Sequence, residues 1–412
     1  MLENGELTIT DALKYEALTP LQKDQILSSG KIPIWLNQAI LAEEKLGNFQ
    51  TAKQDSALPI FSFIDLFAGI GGIRIPFQEL GGKCVLTSEW DKFSQITYER
   101  NFGELPQGDI TKIAAKSVPE HDVLLAGFPC QAFSNAGLRQ GFSDTRGTMF
   151  FEIQRILAER RPKAFLLENV KQLRGHDKGK TLQTILQILR GEAVPSIPLE
   201  VPMSPEARKS MSIKLNYQVE FKVLKATEFG VPQSRERIYL VGFDKTAFPN
   251  LDLSNFFENL EGRHDQTRLG DALETNDMVP EKYTISDRLY TGLIKRMERH
   301  RLQGNGFGHS IVSHDSRYCN TITSRYYKDG REILIDQTGL GKNPRKLTPR
   351  ECARIQGFPE WFVVSAVSDA QIYRQFGNSV SVPVIRSIAK SMIEIMCCST
   401  VGDEVMLSAA MA

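Results

Sequence analysis

Five stretches of this 412-residue chain combine residue types and spacings that could do chemistry. The first is Phe63-Ile-Asp65-Leu-Phe67-Ala-Gly69-Ile-Gly71-Gly72. An apolar run enters a turn of small residues, where glycine permits positive φ and lets a ligand approach the backbone. It is not G-x-G-x-x-G, because Arg74 stands at the third position, so a pyrophosphate-bearing dinucleotide is disfavoured. The second stretch, Lys83 to Trp90, ends on Glu89 and Trp90. An acidic residue closing the next strand about 20 residues on is placed to accept from ribose hydroxyls, and an indole can stack on adenine. Asp109, after Gly108, is expected to end a third strand and to receive an adenine amino group. Together these fit a nucleoside cofactor without a pyrophosphate. A plain tight turn is the simpler use of such glycines.

The third stretch is Asp122-Val-Leu-Leu-Ala-Gly127-Phe-Pro129-Cys130-Gln131-Ala-Phe-Ser134, a strand that breaks at Gly127 and delivers Cys130 at its mouth. Most cysteines are buried and inert, and a thiolate nucleophile is the exception. A zinc deaminase is excluded, since no second cysteine completes a Cys-x-x-Cys pair and no His-x-Glu lies upstream. The fourth, Phe165-Leu-Leu-Glu168-Asn169-Val170, ends a buried strand on a carboxylate. Burial can raise its pKa and make it a proton donor; a helix cap or structural ion pair is the plainer role. The fifth is Gln233-Ser-Arg235-Glu-Arg237, where alternation along an extended segment turns Arg235 and Arg237 the same way. Gly175 to Thr181 imitates a phosphate loop, but it has three residues between its glycines and does not directly follow a strand, so phosphate binding there is disfavoured.

The elements that must position these residues read as α/β from Pro59 onward. Strands are expected at 60–66, 84–88, 122–126, 164–168, 218–224 and 237–243, with helices at 73–80, 92–101 and 148–160. That alternation implies a parallel sheet with helices on both faces. Residues 191–213 read as a long inserted loop. From 246 to 345 the rhythm fails: 251–260 and 286–303 look helical and the rest is irregular. Helices return over 349–357, with Thr348 and Glu351 placed for a capping box, and over 382–396. Residues 1–57 read as three short helices, 11–18, 20–28 and 32–46, then a polar linker. With 8 acidic and 5 basic residues that extension is a poor DNA contact and reads mainly as a structural cap.

Composition sets the bounds. With 41% apolar and 24% charged residues the chain is ordinary globular protein, neither disordered nor fibrous. No apolar run approaches the ~20 residues of a membrane helix, and the N-terminus lacks the pattern of a secretion signal. Six scattered cysteines fit a reducing compartment, and no Cys/His spacing suggests a metal. Lys and Arg total 50 against 49 Asp and Glu, a net charge of +1 that hides an asymmetry. Between Arg288 and Arg331 stand 9 basic and 3 acidic residues beside Tyr290, Phe307, Tyr318, Tyr326 and Tyr327. Basic residues interleaved with aromatics suit nucleic acid, although such runs also serve solubility.

The motifs in their order, closed by Arg374-Gln-Phe-Gly377-Asn378-Ser379-Val, resemble the DNA (cytosine-5)-methyltransferases over about 61–390. Gly304–Gly308, Ser324–Gly330 and Arg350–Arg354 look similar to segments of the bacterial Dcm-type group. The resemblance implies a Rossmann-like S-adenosylmethionine-dependent methyltransferase sheet with a smaller, irregular target-recognition domain. The expected parts are a helical extension (1–57), a catalytic and cofactor-binding domain (58–245), the target-recognition domain (246–345), a return to the catalytic domain (346–396) and a tail (397–412). Cys130 would be the nucleophile, Glu168 the group at cytosine N3, Arg237 a contact to the cytosine and Arg235 a support. S-adenosylmethionine would be held by Phe67, Gly69, Gly71, Glu89, Trp90, Asp109, Ile110, Pro129, Asn378 and Ser379. Ser134, Gln233, Lys295, Arg296, Arg299, Arg317 and Arg325 are the expected DNA contacts, Arg317 and Arg325 as readers of a palindrome such as CCWGG or CCNGG. The recognition lobe is expected to face the catalytic lobe across a basic cleft. Ala132 stands where the family usually has proline after Cys-Gln, a change that removes no reacting group. The resemblance further implies a monomer in the bacterial cytoplasm, bound to nucleoid DNA and paired with a cognate restriction endonuclease without a stable complex. The competing readings are a non-catalytic DNA-binding regulator, an RNA cytosine methyltransferase and, more distantly, a Rossmann oxidoreductase.

Overall fold

The computed structural model describes Leu27 and residues 60–129, 149–192, 201, 203–262, 267–275, 278–306 and 308–410, with side chains to residue 397. The N-terminal helices apart from Leu27, and Cys130, Gln131, Ser134 and Phe307, lie outside the described residues. Packing divides the chain into one unit, Pro59–Thr267 with Asn378–Ala412, called the catalytic unit because it holds the residues expected to be catalytic, and a second unit centred on Arg268–Gly377. These divisions fall later in the chain than the expected bounds at 246 and 345.

The catalytic unit is built on a six-stranded sheet of order β2-β1-β3-β4-β6-β5. The strands are β1 (Phe61–Leu66), β2 (Gly82–Ser88), β3 (Val123–Gly127), β4 (Ala164–Val170), β5 (Tyr217–Lys225) and β6 (Glu236–Asp244). β1 to β4 pair in parallel. β6, however, is antiparallel to both β4 and β5, so the sheet is mixed and not wholly parallel as the alternation suggested. The cause is the connection: β5 returns to β6 through residues 226–235, which hold only one short turn of 3-10 helix, and a parallel return needs a longer crossover. Every residue of β4 is buried, which is why this strand reads as a continuous apolar run.

Helices α1 (Arg74–Glu79), α2 (Lys92–Phe102), α3 (Met149–Arg160) and α4 (Lys180–Arg190) connect the strands. One core joins α3 and α4 to Ile64, Leu124 and Phe165; the other joins α1 to Phe63, Leu125 and Leu166. After the second unit, α10 (Val382–Ala410) returns to this second core with Val384, Ile385, Ile388, Ala389 and Met392, a spacing of three and four that makes one helical face. Among the described residues no helix is long and apolar enough to cross a membrane.

Three local expectations are corrected. Residues 251–260 form turns, not a helix, because Leu253, Phe256 and Phe257 reach the second core without one; tertiary burial overrides a helix-like spacing. Asp109 does not end a strand. Only Gln107 bridges to Ser88, and Asp109 caps a 3-10 turn, Ile110–Lys112, accepting from the Thr111 N–H at 3.0 Å and its hydroxyl at 2.8 Å. The insertion 191–213 contains a helix, α5 (Pro205–Ser210), with Pro205 in its first turn and Ser204 as its cap.

The second unit contains α6 (Asp287–Leu302), a two-stranded parallel pair β7 (Ile311–Val312) and β8 (Leu334–Ile335), α7 (Tyr326–Asp329), α8 (Pro349–Arg354) and α9 (Asp369–Asn378). The capping box at Thr348 and Glu351 is formed, with bonds of 3.1 and 2.8 Å. Glu351 is fully buried, and its charge is met by buried Arg345 through two bonds of 2.8 Å. Tyr326 is also fully buried, its hydroxyl donating to the Ile333 carbonyl and accepting from the Leu347 N–H. It is therefore a core residue and not a surface aromatic for nucleic acid.

Candidate active site

The turn after β1 is strained where the sequence is glycine-rich. Phe67, Gly69 and Gly71 have φ of +55°, +57° and +81°. A positive φ is a real outlier for an aromatic residue and marks a segment held by its surroundings. The hold comes from β2: the Ala68 N–H donates to the Ser88 carbonyl at 3.0 Å and the Gly69 N–H to the Glu89 carboxylate at 2.8 Å. Open space lies where a Gly69 side chain would project. At Gly71 a Cβ would stand 2.2 Å from the Phe102 ring, so this glycine serves packing against α2.

Glu89 is buried and also accepts from the Asp91 N–H at 2.7 Å. A carboxylate has about four acceptor positions, so two fixed N–H donors orient Glu89 and leave acceptors for hydroxyls. Burial raises its pKa, and the backbone donors oppose that rise. The Trp90 ring beside it is 73% exposed, a large apolar face available for stacking. Ile110 is buried, Asp109 is half-buried on the adjoining turn, and Pro129 is half-buried just beyond β3. Asn378 is exposed, and the half-buried Ser379 beside it accepts through its carbonyl from the Arg235 guanidinium.

Glu168 and Arg237 meet at the other end of this site. Glu168 pairs in register with Gly127 across β3–β4 and with Tyr239 across β4–β6. A side chain at Gly127 would come within 3.6 Å of the Glu168 carboxylate. Arg237, on β6, places its Nε 3.1 Å from Glu168 Oε1. Burial pushes the Glu168 pKa up, while Arg237 and then Arg235 pull it down. Arg235 is buried and Arg237 partly exposed; both act on Glu168, as alternation along an extended segment requires. The arrangement is a carboxyl group able to keep or give a proton, oriented by a guanidinium, where β4 and β6 pair beside β3, the strand that runs on toward Cys130.

Gln233 is fully buried, and neither amide atom has a hydrogen-bond partner among the described residues. Its amide therefore has free donors and acceptors, and its role as a DNA contact stays a proposal. Lys295, Arg296, Arg299, Arg317 and Arg325 are exposed in the second unit. Arg296 lies 3.8 Å from Asp329. Two buried groups received no role in the sequence reading. Asp65 is fully buried with neither carboxyl oxygen partnered among the described residues, and burial raises its pKa to about 7. Arg74 is clamped by Tyr98 at 2.9 Å and by Glu104 at 2.8 and 3.1 Å. The signal for Asp65 was a carboxylate inside an apolar run; Arg74 has one partner at helical spacing, Gln78 at 2.7 Å, but Tyr98 and Glu104 lie 24 and 30 residues away, where no local spacing announces them.

Compared with known proteins, residues 61–192 and 207–394 match the profile of the C-5 cytosine-specific DNA methylase family. The chain is 55% identical over 331 residues to the type II methyltransferase M.DsaV of Dactylococcopsis salina, covering 80% of this chain and 85% of that one. It is 52% identical over 336 residues to the type II methyltransferase M.NlaX of Neisseria lactamica, covering 81% and 96%. Among solved structures, the Entamoeba histolytica methyltransferase EhMeth superposes with a TM-score of 0.62 at 21% identity, over 81% of this chain and 98% of that one. That likeness is one of fold, in agreement with the Rossmann-like sheet.

Proposed function

The chain belongs to the C-5 cytosine-specific DNA methylase family, and we propose that Cys130, Glu168 and Arg237 form its catalytic centre. It is a type II DNA cytosine-5 methyltransferase whose methyl donor is S-adenosyl-L-methionine. The residues around the β1 turn fit that donor: Glu89 is oriented with spare acceptors for ribose, Trp90 offers an open ring face, and Gly69 leaves its side of the turn unobstructed. Phe67, Asp109, Ile110, Pro129, Asn378 and Ser379 complete the set that would hold it. When bound, it supplies an electrophilic methyl group.

The observation that carries the mechanism is buried Glu168 paired with Arg237 near the end of β4, in register with the strand that leads to Cys130. Cytosine C5 is a poor nucleophile. In the proposed reaction the Cys130 thiolate adds to C6, the ring electrons move toward N3, and Glu168 donates a proton there, leaving C5 enamine-like and able to take the methyl. Arg237 holds the Glu168 carboxyl and contacts the base, while Arg235 ties the segment to Ser379. Loss of the C5 proton to a base then expels the thiolate. Since the reacting atoms lie inside the duplex stack, the cytosine is flipped out. The second unit reads the site, a short palindrome holding CC and GG. The enzyme works as a monomer that protects DNA in a restriction–modification system, without stable attachment to the endonuclease.

Cys130→Ala is expected to abolish methyl transfer while S-adenosylmethionine binding persists. A duplex carrying 5-fluorocytosine should trap the wild-type enzyme covalently, since elimination needs a departing proton. Full turnover by Cys130→Ala would overturn the assignment.

A further inference from the structure

Residues 193–206 lie between the two stretches that match the family profile, and Glu206 is the last of them. It sits in the first turn of α5, yet its carboxylate reaches back to the segment that follows Asp109. Both its oxygens accept from the Ala115 N–H, at 3.1 and 3.2 Å. One also accepts from Arg155 Nη1 at 3.0 Å. Arg155, on α3, is 1% exposed. Its Nε pairs with Glu152, and its Nη2 donates to the Ile110 carbonyl at 2.6 Å. Ile110 and Ala115 are therefore gripped from one charged network that includes the inserted helix.

We propose that Glu206, directly and through Arg155, is a positioning residue that fixes the Asp109–Ala115 segment and thereby sets the affinity for the adenosine part of the cofactor. The proposal rests on the reading that Asp109 and Ile110 face that cofactor. The physical reason is preorganisation: a segment already held in its binding conformation does not pay the ordering cost when the ligand arrives. Asp109 itself spends one oxygen on Thr111, by two bonds, so its direction is fixed locally but its place is set by the neighbouring carbonyl and N–H. Glu206 is partly exposed, its side chain 43% accessible, so it can be replaced without opening the core.

The test is calorimetric titration of the full chain with S-adenosylmethionine, using Glu206→Ala, Glu206→Gln, Asp109→Ala and the Glu206→Ala/Asp109→Ala double variant. Glu206→Ala should weaken binding about 5- to 20-fold, the scale of one hydrogen bond to a charged group partly lost. Glu206→Gln retains an acceptor for Ala115 and should recover most of that loss. In steady-state assays the cofactor KM should rise in step, with kcat at saturating cofactor and the KM for DNA unchanged. The double variant should bind no worse than about twofold below Asp109→Ala, because two residues acting through one contact are not additive. Unchanged affinity in Glu206→Ala, or losses that multiply in the double variant, would overturn the proposal if Asp109→Ala is itself weakened. Unchanged affinity in Asp109→Ala overturns the cofactor reading, and the proposal with it.

Discussion

Glu168 and Asp65 are both carboxyls sealed inside the catalytic unit, and what surrounds each decides what its proton does. Glu168 has two guanidinium groups near it, yet burial still raises its pKa. The protonated form that the proposed N3 protonation requires therefore persists above the ordinary carboxylate range. Activity is expected to fall as pH rises through the Glu168 pKa. Glu168→Gln should lower kcat by about 10²–10⁴-fold, the usual scale for a lost general acid, and a pH–rate profile of the variant should lack that fall. Asp65 has no partner among the described residues, and burial lifts it from 3.8 to about 7. A carboxyl raised on folding contributes stability that is fully present below its unfolded pKa and is lost as pH climbs through the folded one. Stability should thus decline between about pH 4 and 7. Asp65→Asn should flatten that decline and be the more stable protein at pH 8, by on the order of 1–4 kcal/mol in urea melts. An unchanged slope would show that Asp65 is ionised throughout. The motif order makes the candidate residues legible in sequence because strand ends place them. The loneliness of Asp65 and the Glu206–Arg155 bond are not legible: they depend on which groups the fold brings near, 51 residues apart in the second case.

At the scale of elements, the strands were readable because most are short, largely apolar runs, β4 buried throughout, and β1 and β4 differ from expectation by only a residue or two. Direction was not readable. A strand buried on both faces has the same composition whichever way it runs, and only the absent crossover helix between β5 and β6 hinted at the reversal. The stretch 251–260 misled for a related reason, since apolar residues three and four apart also satisfy a pair of turns packed on a core. The glycine turn lets two effects be separated. Gly69→Ala has open space and meets only the strain of a left-handed residue, about 1–2 kcal/mol. Gly71→Ala meets that strain and also drives a methyl into Phe102, 2.2 Å away, which adds roughly 1–3 kcal/mol of overpacking. Urea denaturation should rank Gly71→Ala clearly below Gly69→Ala. Equal losses would mean that α2 moves aside freely and does not brace the turn.

The net charge of +1 gives no hint, at the scale of the whole molecule, that this enzyme must grip a polyanion. The charge is concentrated instead. Helix α6 buries only Leu293 among its sixteen residues and exposes Lys295, Arg296 and Arg299. A helix so little committed to its own core is suited to an external partner. Arg296 already faces Asp329, so Lys295 and Arg299 are the better candidates for the proposed phosphate contacts. Phosphate neutralisation is sequence-blind and appears in the salt dependence, whereas base readout appears in discrimination. Lys295→Ala should therefore weaken all duplexes alike and reduce the slope of log K against log salt by about 0.9. Arg325, exposed at the start of α7, is the proposed reader of a guanine in the major groove, the commonest specific contact. Arg325→Ala should cost about 1–3 kcal/mol of discrimination at one guanine while leaving the salt slope nearly unchanged. Bisulfite sequencing of DNA from cells expressing each protein reads both outcomes: the wild type should methylate one cytosine within a CC…GG palindrome, and Arg325→Ala should spread methylation to sites altered at a single guanine. Methylation by the wild type in contexts without adjacent cytosines would refute the proposed site. Unaltered specificity in Arg325→Ala would move the reader to Arg317 or the Gly304–Gly308 segment.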